Sequence, residues 1–134
     1  MKLTDKSKAI IIFVSLILSI VGFLVKLPSY FRHIDKELHS LFYFLAAAFL
    51  NILFSTKRIA YHLAIFMSLL LFGIAIEFAQ EYSNKLFHTR IHGRFDIEDV
   101  AANLKGLLIC SGIWAFYQII LYMKRKSSTQ NIKK

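Results

Sequence analysis

One cysteine, one proline and one tryptophan occur in 134 residues, and eight acidic residues stand against seventeen basic ones. Each scarcity closes off something. The lone Cys110 rules out an intramolecular disulfide and any cysteine-built metal cluster. Set inside an apolar run, it reads as an inert buried thiol. The lone Pro28 leaves every later apolar run free of a proline break, and it marks the end of the first helix or the turn behind it. No His-Glu-x-x-His, no Gly-x-Ser-x-Gly and no glycine-rich phosphate loop is present. The chain has no internal repeat and no low-complexity segment, and its length suits a single domain.

What is present is apolar. Hydrophobic residues make up 57% of the chain and charged residues only 19%. The charges gather between apolar runs instead of spreading through them, which describes an integral membrane protein better than a soluble core. A formal net charge of +9 would raise nucleic acid as a partner of a soluble domain. Here the bases sit at the ends of apolar runs, where Lys and Arg set orientation and meet anionic lipid heads. Membrane lipids, not nucleic acid, are therefore the expected surroundings.

Four spans are expected, over about 9–25, 38–54, 59–78 and 100–123, with a basic tail over 124–134 that ends in disorder. The fold class is thus all-α, a four-helix membrane bundle in one domain covering 1–134. The first two runs are near the lower length limit for a span. A cleaved signal peptide competes for the first. No small-x-small site follows Val25, where Lys26, Leu27 and Pro28 stand, so a retained span is the expectation. Tyr30 and Phe31 suit an interfacial aromatic belt. The short basic segment over 55–58 makes the second and third helices antiparallel neighbours. The connection over 80–98 is longer than a turn needs. It has room for a short interfacial or re-entrant piece, with Gly93 as a break.

Sidedness follows from the basic residues. Ten lie in the N-terminus, the second connection and the tail; six lie in the first and third connections. The bias puts both termini in the cytoplasm. The start of helix two, the end of helix three and the start of helix four then meet at the outer surface. Asp35, His39 and Tyr43 are spaced i, i+4, i+8 and share one helix face. Glu77 and Gln80 are spaced i, i+3. Asp96, Asp99 and Asn103 are spaced i, i+3, i+7, and Gly106 extends that row. Single residues have plain explanations: helix caps for Asp35 or Asp96, an N-terminal charge for Asp99, interhelical contact for Asn103 and close packing for Gly106. Glu77 resists such an account. A carboxylate inside an apolar run needs a partner or a cavity, and Lys36, His39 and Arg94 are candidate partners.

Taken together, these residues resemble the VanZ-like family of small bacterial membrane proteins. The resemblance rests on Asp35-Lys36-x-x-His39-x-x-x-Tyr43, then Glu77-x-x-Gln80, then Arg94-x-Asp96-x-x-Asp99-x-x-x-Asn103-x-x-Gly106, and covers roughly residues 26–123. It implies a four-helix domain in the bacterial cytoplasmic membrane and kinship with proteins linked to low-level teicoplanin resistance. It supplies no reaction. The longer connection over 81–93, with His88 and His92, departs from the pattern.

Three functions stay open on these residues. In the first, a pocket facing the outer leaflet binds the head group of a lipid-linked envelope precursor or a lipophilic glycopeptide. Asp35, Lys36, His39, Tyr43, Glu77, Gln80, Arg94, Asp96, Asp99 and Asn103 would line it. Lys36, Arg90 and Arg94 would take phosphate or carboxylate, and the acids and amides would take sugar hydroxyls or peptide amides. In the second, an intramembrane enzyme acts on a lipid-linked substrate, with Glu77 and Asp99 as an acid–base pair and His39 as a candidate base. No cofactor is expected. The candidate metal ligands are His88 and His92, four residues apart. In the third, the polar cluster is structural or relays protons. His33 and His62 read as interfacial or packing residues, and Trp114, Tyr117 and Tyr122 as packing and belt residues.

Overall fold

The structure is a computed structural model that describes residues 3–24, 34–54, 57–86, 88 and 95–131. The described residues form four helices: α1 (Asp5–Leu24), α2 (Asp35–Leu53), α3 (Ile59–Leu86) and α4 (Ile97–Asn131). Pro28, Tyr30, Phe31, His33 and Gly93 lie outside the described residues. Thr4 opens α1 as a cap, its hydroxyl accepting the Ser7 N–H at 3.2 Å. At the head of α4, Asp96 does the same for the Glu98 N–H at 2.8 Å.

Two helices outrun their apolar content. α3 continues about two turns past Phe78, helped by a Glu81–Lys85 pair of 2.8 Å at i, i+4. Much of the expected third connection is therefore helix. α4 runs on through Lys124, Arg125 and Lys126 to Asn131. Straight-chain basic residues lose little rotamer freedom in a helix, so the basic tail prolongs α4.

Three helices are long and apolar enough to cross a membrane, over Asp5–Phe23, Ile59–Leu86 and Ile97–Ser128. α2 is the exception. Its first turn carries Asp35, Lys36 and Glu37, and its inner face carries His39, Tyr43 and Asn51. That face is one line at i, i+4 spacing, His39–Tyr43–Ala47–Asn51, and all of it is buried. α2 packs chiefly along α4, α3 lies against both, and α1 touches α3.

The result is polar inside and apolar outside. Buried side chains include His39, Asn51, His62, Glu77 and Asn103 beside Tyr43, Ile76, Leu107 and Cys110. Exposed ones include Ile10, Phe13, Leu18, Ile52, Leu71 and Phe116. An exterior of that kind would drive association in water; it is the surface a helix bundle presents to hydrocarbon, where small and polar residues line the helix contacts instead.

Gly106 sets the spacing of the central pair. A Cβ there would fall 2.0 Å from the Ser40 carbonyl oxygen, so the α2 and α4 backbones are in direct contact. Contacts between helix ends fix the directions. The last residues of α1 meet the first turns of α2 through Phe23 and His39, with ring centroids 5.1 Å apart. The Lys8 ammonium, at the start of α1, lies 5.8 Å from the Phe54 ring just past α2. α1 and α2 therefore run antiparallel.

At the far end of α2, one imidazole joins three helices. His62 of α3 is 2.9 Å from Asn51 Oδ1 and 3.0 Å from Ser111 Oγ of α4. Asn51 Nδ2 donates to the Ala47 carbonyl, so Oδ1 faces the ring and His62 Nδ1–H donates to it. The ring also stacks on Trp114, 4.3 Å apart and 8° from parallel. The packing expected of His62 is thus a specific three-helix tie. Replacing His62 with Phe keeps the stack and strips Asn51 Oδ1 and Ser111 of that partner. The expected loss is about 1–2 kcal/mol, the scale of buried hydrogen bonds left without a partner, measured by thermal unfolding in detergent.

Candidate functional site

The opposite end of the bundle gathers a different set. α2 supplies Asp35, His39 and Tyr43, one below another on its inner face. α3 supplies Glu77. α4 supplies Asp96 at its cap, Asp99 in its first turn and Asn103 one turn deeper. Tyr43 is 0% exposed, and Glu77 and Asn103 are each 1% exposed.

Glu77 is joined to α4 through one oxygen. Its Oε2 accepts the Asp96 backbone N–H at 3.2 Å, at the positive end of the α4 dipole. Its Oε1 has no hydrogen-bond partner among the described residues, and neither has the Tyr43 hydroxyl. Both atoms are buried. Such groups lose hydration without recovering it from the described residues, which costs stability and suits them to another partner. Glu77 feels the charges of Asp99, Asp96 and His39, and Asp99 feels those of His39, Asp96, Asp35 and Lys36. The acids and the imidazole therefore form one electrostatic cluster across three helices.

Asn103 orients His39. Its Oδ1 lies 3.0 Å from His39 Nδ1, which fixes the proton on Nδ1 and leaves Nε2 with its lone pair in the neutral ring. Gly73, one turn below Glu77 on α3, makes room for the deepest groups. A Cβ at Gly73 would come within 2.7 Å of Asn103 Nδ2 and 2.8 Å of the Tyr43 hydroxyl. Phe23 of α1 closes the flank, its ring 5.1 Å from His39, 6.1 Å from Tyr43 and 4.9 Å from Phe42.

Two expected ligand-binding residues have other engagements. Lys36 forms an ion pair with Glu98, which links α2 to α4 at the exposed rim. Gln80 Nε2 donates to the Phe23 carbonyl at 2.8 Å and so ties α3 to the end of α1. Arg90, His92 and Arg94 lie outside the described residues. His88 is exposed in a turn with φ of 50°, a left-handed conformation uncommon for a side-chain-bearing residue. Asp35 has a neighbourhood rather than a capping role: Ile34 precedes α2 with no side-chain cap, and Asp35, His39 and Asp99 offer ligand atoms within 4.8 Å of one another.

Sequence reasoning missed Gly73, Glu98 and the Phe23 lid. Gly73 is an ordinary small residue in an apolar run, and only the neighbouring helices make it a spacer. Glu98 carried a signal: it stands next to Asp99 at a helix start, where an exposed acid meets a base on a neighbouring helix.

The described groups are rich in acceptors. Carboxylates from Asp35, Glu77 and Asp99 and the Nε2 of a neutral His39 can accept from hydroxyls, amides or ammonium groups, or hold a cation. An imidazole oriented by an amide and flanked by two carboxylates also has the parts for proton transfer. No family model, curated protein or solved structure matches the chain.

Proposed function

We propose that the protein is a VanZ-like integral membrane protein of the bacterial cytoplasmic membrane. All four helices cross the bilayer, with both termini cytoplasmic and the Glu77 cluster at the outer leaflet. The cluster binds the donor-rich head group of a lipid-linked envelope precursor or of a lipophilic glycopeptide such as teicoplanin. The basic bias of ten residues against six supports the sidedness. Three apolar helices support the membrane location. α2, with its polar line turned toward α3 and α4, crosses in their shelter.

The observation that carries the binding role is the buried Oε1 of Glu77, left without a hydrogen-bond partner among the described residues. A carboxylate kept in that state within apolar helices loses stability unless it serves something that comes and goes. Sugar hydroxyls and peptide amides supply the donors that Glu77, Asp99 and the Tyr43 oxygen can accept. The apolar outer face beside them suits a lipid tail.

The test uses the full chain in lipid nanodiscs, titrated with teicoplanin and separately with a lipid-linked envelope precursor. Saturable binding to at least one is expected, together with its loss in the Glu77→Ala, Asp99→Ala double variant. Equal affinity in wild type and double variant would overturn the reading.

A further inference from the structure

The geometry points to a divalent-cation site formed by Asp35, His39 and Asp99, with the Glu77 carboxylate near by as a third source of oxygen. Three observations converge on it. The first is placement. One carboxylate oxygen from Asp35, one from Asp99 and a ring nitrogen of His39 all lie within 4.8 Å of one another, drawn from the first turns of α2 and α4. Around a single ion with bonds near 2.1 Å, ligand atoms stand roughly 3–4 Å apart, so small side-chain rotations close the set.

The second is the state of the imidazole. Asn103 Oδ1 accepts from His39 Nδ1, so Nε2 is the nitrogen left to ligate. Metal-bound histidines commonly have their other nitrogen held in this way, with the ring turned and the tautomer fixed by an oxygen acceptor. Asn103 is itself buried and stands on the same helix as Asp99, one turn along, so the orienting group and one ligand move together.

The third is the charge left over. Glu77 is itself buried, holds the Asp96 N–H with Oε2 and leaves Oε1 without a partner among the described residues. It lies close enough to Asp99 and His39 to feel both. The cation that the described residues bring near Asp99 is Lys36, which is paired with Glu98 at the rim. Three carboxylates around one imidazole, walled by apolar helices, attract a divalent cation. Two or three carboxylates with one imidazole suit Mn²⁺ or Zn²⁺ better than a soft ion, which thiolates would select. The proposal is separate from head-group binding: a metal can be held whether or not any lipid or glycopeptide is.

The test is direct. The full chain is stripped with chelator in detergent and titrated with Mn²⁺, followed by electron paramagnetic resonance and calorimetry. One Mn²⁺ per chain is expected, with a nitrogen coupling from a single imidazole. His39→Gln should abolish the nitrogen coupling. Asp35→Asn and Asp99→Asn should each weaken uptake by about tenfold or more. His88→Ala and His92→Ala should change neither reading. Absence of stoichiometric uptake by the wild-type chain overturns the site. So does a nitrogen coupling that survives His39→Gln or disappears with His88→Ala or His92→Ala. The wild-type spectrum decides the matter even where a carboxylate variant fails to fold.

Discussion

Gly106→Ala should cost about 3 kcal/mol or more and separate α2 from α4, while Gly112→Ala, six residues along the same helix, should be neutral or stabilising. The two glycines share a helix and differ in what a methyl group would meet. At Gly106 it would fall 2.0 Å from the Ser40 carbonyl oxygen, with the Ser40 carbonyl carbon at 2.9 Å and the Phe44 backbone nitrogen at 3.0 Å. All three are backbone atoms of α2, and no rotamer change can move them. Overpacking against side chains typically costs about 1–3 kcal/mol. Against a fixed backbone the helices themselves must part, so the loss falls at or beyond the top of that range. At Gly112 nothing lies within 4 Å, and alanine there removes only the conformational freedom of glycine, a gain of up to about 1 kcal/mol. Parting α2 from α4 would also pull Asn103 from His39 and Lys36 from Glu98, since each pair spans the same two helices. Unfolding of both variants in detergent, with Gly112→Ala as the reference, measures the difference. Equal stability of the two would show that the helices do not meet at Gly106.

The outline of the fold is legible in the sequence because hydrophobic runs and their spacing report helices directly. The face shared by Asp35, His39 and Tyr43 follows from i, i+4 spacing, and the structure continues it through Ala47 to Asn51. The helix ends are less legible. Apolar content ends near Phe78 and Met123, but helix propensity and the Glu81–Lys85 pair continue α3 and α4 beyond those points. The rank of α2 was also hidden. Its run reads as a span equal to the others, yet three charges in its first turn and a polar inner face set it apart from the three helices apolar enough to cross alone.

The site is legible in its membership and not in its connections. Spacing brings carboxylates to three helix ends but cannot say that Asp96 caps α4 while lending its N–H to Glu77. Nor can it say that Lys36 turns to Glu98, or that Gln80 reaches across to α1. Those choices depend on distances between helices, which Gly73 and Gly106 set by lacking side chains. The tie among Asn51, His62 and Ser111 escaped for a similar reason. Each of the three is unremarkable in its own run, and only packing joins them.

Glu77→Gln should make the protein more stable and a poorer binder at once. The two effects separate a binding role from a structural one. Were Glu77 an interhelical tie, its charge would hold α3 to α4 and its loss would weaken the bundle. The geometry gives the charge little of that work. Oε2 accepts one backbone N–H at 3.2 Å, an interaction glutamine can keep through its amide oxygen. Oε1 is buried with no hydrogen-bond partner among the described residues, and the like charges of Asp99 and Asp96 stand against the single opposing charge of His39. Removing a buried charge in that setting is expected to stabilise by about 1–2 kcal/mol, since the desolvation cost disappears and an accepted hydrogen bond remains. Binding moves the other way. Hydrogen bonds to a charged acceptor contribute about 1.5–3 kcal/mol each, so head-group affinity should fall by about tenfold or more. Tyr43→Phe supplies the companion case. Its hydroxyl is buried and unpartnered among the described residues, so its removal costs the fold little while taking a hydrogen-bonding group from the ligand. Thermal unfolding and ligand titration on the same preparations read both quantities. A Glu77→Gln variant that loses stability and binding in parallel would assign the carboxylate to holding the helices together, whereas gain in one with loss in the other is the pattern of a site maintained against the stability of the fold.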